Sequence, residues 1–210
     1  EKERIQLDEE TAHSFVLYYL VKGRILLYQQ ISKESFDECL IAFTEAENLI
    51  KKYFKKDSKC LCDIRNDIAK LHYTSLYGNR QEAKLLLKKS LRYSEANNDL
   101  ERKAFCYFQL AELYQVFKKP NKVRDNLDLC RKTAIQIRNR KMRSFFLARM
   151  KRNEGKLNFS LGEEIKGASC YQSALHRLRK ILPEPNILTQ LYSNEWKELE
   201  SECASEISLE

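Results

Sequence analysis

Three basic side chains, Arg149, Arg152 and Lys156, could bind acidic groups together. They are spaced at i, i+3 and i+7, so they share one face of a helix. A guanidinium pairs with both oxygens of a carboxylate because its planar fork matches their geometry. An acidic ligand therefore suits this face, and the alternative is a solvated basic face without a ligand.

The surrounding charge is strongly uneven. The chain has a net charge of +8, and residues 131–152 contain nine basic residues and no acidic one. Without this segment the chain is close to neutral, which favours an acidic partner. A basic patch is predicted in the middle of this segment; its members are Arg138, Arg140, Lys141 and Arg143. The alternative partner is RNA or DNA, with Phe145 and Phe146 stacking on bases, although no nucleic-acid-binding motif occurs.

The residues do not indicate catalysis. His13, His72 and His176 are far apart, and no glycine-rich loop, nucleophile elbow or HExxH motif is present. Cys60 and Cys62 are separated by one residue, and no second pair follows as a zinc site would require. The sequence therefore predicts a protein that is not an enzyme and has no cofactor and no metal site.

The cysteine content predicts the compartment. Seven cysteines are scattered without the spacing of a disulfide framework, which favours reduced thiols inside the cell, in the cytoplasm or nucleus. Association with the cytoskeleton is a further possibility from charge alone. No run of 18 apolar residues occurs, so no membrane partner is expected.

The elements that position these residues are helices. Glycine and proline are sparse, at five and three residues, which favours an all-α fold class. The clearest hairpin lies in residues 104–131, where Tyr107, Leu110 and Tyr114 follow the helical period. Pro120 suits the first turn of the next helix, since its missing N–H is not needed there. Ser160 and Glu163 have the spacing of a capping box and predict a helix start at Ser160.

A long internal period follows from the small residues that end each pair. Ala46, Ser90, Cys130 and Ala174 are separated by 44, 40 and 44 residues. A helical hairpin cannot bury its own apolar face, so in-phase copies indicate stacking.

The hairpin at residues 104–131 resembles a tetratricopeptide repeat. The matching positions are Tyr107, Leu110, Ala111, Tyr114, Val123, Leu127 and Cys130. The long period is similar to the long-repeat branch, as in kinesin light chain and the Pins-type adaptors. The resemblance implies a right-handed α-solenoid of about four hairpins with a C-terminal capping helix, in which first helices line a concave groove.

The resemblance also implies where a partner binds. Basic and Asn side chains of first helices hold a partner's carboxylates in that family, which assigns this role to Arg149, Arg152, Asn153 and Lys156. Phe105 and Phe108 would form an apolar patch beside them, with packing against the neighbouring repeat as the alternative.

The expected organisation has four parts. Residues 1–10 form a polar segment, and residues 11–182 hold the repeats, at about 11–56, 58–96, 98–137 and 139–182. Residues 183–206 form the capping helix and 207–210 a tail. The predicted function is a non-catalytic adaptor or scaffold that binds an acidic or amphipathic peptide, with nucleic-acid binding through residues 131–152 or stacking in a larger assembly as alternatives. The oligomeric state stays open.

Overall fold

The computed structural model describes residues 8–29, 32–54, 59–183 and 185–207, with side chains as far as residue 201. These residues form nine α-helices and no β-strand, which confirms the all-α fold class. In chain order the helices are α1 (Glu9–Gln29), α2 (Lys33–Tyr53), α3 (Lys59–Thr74), α4 (Arg80–Ala96), α5 (Leu100–Val116), α6 (Pro120–Ala134), α7 (Arg140–Phe159), α8 (Glu164–Arg179) and α9 (Ile187–Ile207). Most of the predicted polar segment and tail, residues 1–7 and 208–210, lies outside the described residues.

The chain forms two compact units, Glu1–Asn97 and Asn98–Glu210. In the first unit α1 pairs with α2 and α3 with α4, and α3 contacts both helices of the first pair. In the second unit α5 pairs with α6 and α7 with α8, and α7 again contacts both helices of the preceding pair. Helix α9 packs on α8 and α7. Each unit thus repeats one arrangement of stacked hairpins.

The helices begin at residues that can satisfy the first backbone N–H groups. Ser32, Asn79, Asp99 and Asn139 each accept a hydrogen bond from the backbone of the following helix through the side chain. Pro120 opens α6, as its position predicted. These caps fix the start of α7 and hence the register of its functional face.

The turn between α7 and α8 differs from its sequence-based prediction. Helix α7 runs to Phe159, so Ser160 follows its last turn and does not start a new helix. Glu163 precedes α8 and makes no side-chain capping bond. The left-handed turn is made by Gly162, at φ 73°, and the Glu163 N–H donates to the Asn158 carbonyl at 2.9 Å. The capping box at Ser160 is therefore wrong.

Helices α7 and α8 approach each other closely through two glycines. A Cβ atom on Gly155 would lie 2.6 Å from the Tyr171 ring, and one on Gly167 would lie 2.7 Å from the Phe159 ring. Each glycine therefore makes room for an aromatic ring of the other helix. This packing fixes Tyr171, which takes part in the site described below.

The C-terminal helix is held by an apolar cluster. Its fully buried members come from α7, α8 and α9: Ala148, Ala174, Leu175, Leu178 and Tyr192. Phe145, Leu188 and Trp196 pack against it. The predicted capping helix therefore docks onto the fourth hairpin through apolar contact.

Six cysteines carry free thiols, namely Cys39, Cys60, Cys62, Cys106, Cys130 and Cys170. The side chain of Cys203 lies outside the described part. Burial raises the pKa of Cys39 and Cys130 to about 12, so both stay protonated at neutral pH. None of the described helices has both the length and the apolar character needed to cross a bilayer.

Candidate functional site

The predicted basic strip is present on one face of α7, and it already holds a carboxylate. Arg152 donates two hydrogen bonds to Glu195 of α9, from Nε to Oε2 and from Nη2 to Oε1, both at 2.6 Å. The Lys156 ammonium lies 2.5 Å from Glu195 Oε1. The Tyr171 hydroxyl donates to Oε2 at 3.0 Å. We call these four side chains the carboxylate clamp.

A second acid completes the charge balance of the clamp. Glu112 of α5 lies 3.4 Å from Nη1 of Arg152. Two cations thus face two carboxylates, and their side chains are between 15% and 30% exposed. Such a half-buried ion cluster is tolerated because each charge has an opposite partner.

The ionisation of the clamp follows from these contacts. Burial acts to raise the pKa of Glu195, but the hydrogen bonds and charge of Arg152, with those of Lys156, outweigh it and lower the pKa. Burial raises the pKa of the Tyr171 hydroxyl, and the neighbouring carboxylate raises it further. Glu195 is therefore ionised and Tyr171 protonated at neutral pH, which suits the donation from Tyr171.

Arg149, one turn before Arg152, is held differently. Its guanidinium carbon lies 4.1 Å from the ring centre of Phe108, 5.1 Å from that of Phe105 and 5.5 Å from that of Phe145. It forms no ion pair with any of the described residues. The aromatic rings thus fix a cation whose hydrogen-bond donors have no acidic partner.

Asn153 lies four residues after Arg149 and is 1% exposed. Neither its Nδ2 nor its Oδ1 atom has a hydrogen-bond partner among the described residues. A buried amide without partners is costly, by about 1–3 kcal/mol, and is uncommon in folded proteins. The predicted site thus contains an unsatisfied polar group next to an unpaired cation.

The predicted apolar patch requires a correction. Phe108 is fully buried, so it offers no surface to a partner in this arrangement. Phe105 is half-buried and stacks on it, with ring centres 6.4 Å apart. Both rings pack within the fold and support Arg149, because α5 lies directly against α7.

The basic segment is also less available than the sequence indicated. Arg131 and Lys151 both pair with Glu154, and Arg152 pairs within the clamp. The rings expected to stack on bases are covered, since Phe146 is 3% exposed and Phe145 packs in the α9 cluster. Phe146 is therefore not available for base stacking in this conformation, and Phe145 is partly covered.

The predicted basic patch divides into two parts. Arg140 and Arg143 line a concave pocket between α7 and α8. Arg138 and Lys141 are exposed and do not line it. Of the two closely spaced cysteines, Cys60 is exposed and Cys62 is buried.

Comparison with known proteins supports the architecture. No family model matches the chain, and no curated protein matches it. Among solved structures the chain is similar to one described as the crystal structure of BtubC (BKLC) from P. vanneervenii. The TM-score is 0.53 at 15% identity, covering 96% of this chain and 90% of that chain. At this identity the likeness concerns the fold alone, and it extends over almost the whole of both helical proteins.

Sequence reasoning missed the acids of the clamp. Glu195 lies 43 residues from Arg152 along the chain, and Glu112 lies 40 residues before it. One signal was present, because Glu195 stands next to Trp196, the single tryptophan, in an amphipathic helix.

Proposed function

We propose that this chain is a non-catalytic interaction module, a right-handed α-solenoid of tetratricopeptide type, that binds an acidic amphipathic helix of a partner protein against α7. One observation carries the proposal: this face already binds such a helix, α9, by the carboxylate of Glu195. A partner helix would place its own carboxylate between Arg152 and Lys156.

The chemistry of the face suits exchange of α9 for a partner. The clamp recognises a carboxylate with a bidentate guanidinium, an ammonium and a phenol, none of which is particular to α9. Among the described helices, α9 contacts only α7 and α8. An amphipathic helix with an acid beside an aromatic anchor would satisfy the same contacts.

Arg149 gives a partner a contact that α9 does not use. It lies on α7 next to the clamp and has no hydrogen-bond partner in the described residues. A second acidic side chain would pair with Arg149. Asn153, on the same helix, is 1% exposed, so its amide is not open to a partner in this arrangement.

The test uses the full chain and a labelled synthetic peptide of residues 186–207. The Glu195→Ala chain has a weakened clamp, so we expect it to bind the peptide at least about tenfold more tightly than the wild type, by fluorescence anisotropy. Glu198→Ala is the matched control, because Glu198 is exposed on the same helix. A peptide with Gln at position 195 should bind weakly to both chains. Equal binding to Glu195→Ala and Glu198→Ala would contradict the proposal.

A structural role is the second candidate, and an exposed apolar face of α1 favours it. Tyr18, Val21 and Ile25 are 58%, 56% and 53% exposed on one side of this helix, with Leu17 at 50%. Helices α3 and α7, which also begin hairpins, each pack on a preceding hairpin. This face of α1 would by the same logic receive a further helical hairpin, as in a larger assembly.

A further inference from the structure

A pocket between α7 and α8 is lined by cations from both helices. It has a volume of about 420 Å³, and none of the clamp residues lines it. Its basic members are Arg140, Arg143, His176, Arg177 and Lys180. The remaining lining residues are Ser144, Leu147 and Ser173. On each helix the residues follow the spacing i, i+3, i+4 and i+7, so two regular helix faces form the walls.

The two central guanidiniums are the unusual feature. Arg143 and Arg177 are half-buried, and no acidic side chain of the described residues pairs with them. Arg140 and Lys180 at the rim have no acidic partner there either. Like charges in one concave site repel each other, so a ligand of opposite charge would stabilise this arrangement. Cations near the C-terminal end of a helix usually stabilise the helix dipole. This role applies to the basic residues at the end of α8 but not to Arg140 and Arg143 at the start of α7.

The chemistry of the lining selects phosphate. Arginine forks bind phosphate oxygens bidentately, lysine adds a point charge, and the hydroxyls of Ser144 and Ser173 are further donors. A phosphate monoester carries about two negative charges at neutral pH, so four permanent cations match two such groups. A single carboxylate would leave most of this charge unbalanced.

The size and lining favour a compact ligand. A volume near 420 Å³ falls in the range of small-molecule sites. A span of i to i+7 is about 10 Å along a helix, enough for two neighbouring phosphate groups. No Phe, Tyr or Trp side chain lines the pocket, so a single nucleic-acid strand would find only the His176 imidazole as a stacking partner.

We infer that this pocket binds a small molecule with two or more phosphate groups, as a site separate from the carboxylate clamp. Arg143 and Arg177 hold the phosphate oxygens, with Arg140 and Lys180 at the rim. The inference is independent of the proposed peptide function, because the two sites share no residue.

Isothermal titration calorimetry of the full chain with inositol hexakisphosphate, inorganic pyrophosphate and inorganic phosphate tests this site. We expect the multiply phosphorylated probes to bind and single phosphate to bind much more weakly. Arg143→Ala and Arg177→Ala should each weaken binding by roughly tenfold or more, since each removes charged hydrogen bonds. Arg138→Ala is the control, because Arg138 is exposed and basic but lies outside the pocket.

Further arms identify the source of the phosphates and guard against misfolding. Arg177→Lys keeps the charge and loses the fork, so it should bind with intermediate affinity and an unchanged circular dichroism spectrum. Co-sedimentation with phosphatidylcholine vesicles containing phosphatidylinositol bisphosphate separates a lipid headgroup from a free ligand, and both support the inference. Equal loss with Arg138→Ala, or absence of binding at low salt, would overturn it. Tighter binding of a short oligouridine than of inositol hexakisphosphate would also overturn it, in favour of nucleic acid.

Discussion

Removing the carboxylate of Glu195 should release α9 while the rest of the second unit stays folded. The Glu195→Ala substitution deletes two bonds to Arg152, the contact with Lys156 and the bond from Tyr171. It leaves Lys156 without an acid and Arg152 with the longer contact to Glu112 alone.

The free-energy cost of Glu195→Ala follows from the burial of the clamp. Breaking a buried ion pair by removing one member costs roughly 3–5 kcal/mol. Because the clamp side chains keep between 15% and 30% of their exposure, water offsets part of this loss. We therefore expect about 2–3 kcal/mol, which reduces the docking equilibrium of α9 by roughly 30-fold to 150-fold.

The chain contains its own probe for this measurement. Trp196 is the single tryptophan and lies next to Glu195 in α9, packed on the apolar cluster. In a urea titration the tryptophan emission of Glu195→Ala should change at lower denaturant than the helical circular dichroism signal. In the wild type the two transitions should lie closer together.

The control for this measurement is a second acidic residue of α9. Glu198→Ala removes an exposed carboxylate three residues further on, and we expect a change within about 0.5 kcal/mol. If Glu195→Ala leaves the Trp196 transition within that margin, the clamp does not hold α9. An equal shift of the Trp196 transition in both variants would mean that removing either acidic side chain loosens α9. It would refute the argument from the individual contacts of Glu195.

Two further predictions concern pH and assembly. The pKa of Glu195 is lower in the folded chain than its ordinary value of 4.5, so the unfolded state binds more protons and the clamp's contribution is lost as pH falls below that value. Urea titrations detected by Trp196 should show this loss in the wild type, and a flatter pH profile in Glu195→Gln would confirm its source. If a second copy of the chain packs a helical hairpin on the apolar face of α1, light scattering should show self-association of the wild type. The double substitution Val21→Lys with Ile25→Lys should abolish it. A wild type that is monomeric at high concentration would exclude a second copy as the partner of this face.

The sequence predicted those parts of the structure that depend on local spacing. Arg149, Arg152 and Lys156 share a face of α7 as expected, because the helical period alone determines this. Pro120 likewise marks the start of α6. The caps at Asn139 and Asp99 were not predicted, although both residue types readily accept backbone hydrogen bonds at a helix start.

The remaining features depend on contacts between residues far apart in the chain. Nothing in the spacing around Arg152 shows that Glu195 will occupy it, since that contact requires α9 to fold back onto α7. Phe108 has the spacing of a groove residue, but its burial is decided by how closely α5 lies against α7. The capping-box prediction at Ser160 was wrong because a serine that follows a helix has the same local sequence pattern as one that precedes a helix. The left-handed conformation of Gly162 places the turn after Ser160.

The ion pairs of Arg152 determine what charge reversal at this position would do. Arg152→Glu would place a third carboxylate beside Glu112 and Glu195, so loss of stability is expected from this change. Arg149 has no acidic partner among the described residues, which makes it the cleaner position for testing recognition.

The attachment of α9 to α8 sets how strongly an outside partner must bind. A segment joined by a short connection is present at an effective local concentration in the millimolar range. An outside helix that merely copies the contacts of Glu195 would therefore need a similar concentration to occupy the clamp half of the time. Only a partner with additional contacts, for which Arg149 is available, would compete at lower concentrations. If a partner helix replaces α9 as proposed, the tether would therefore act as a threshold that favours partners with such contacts over other acidic helices.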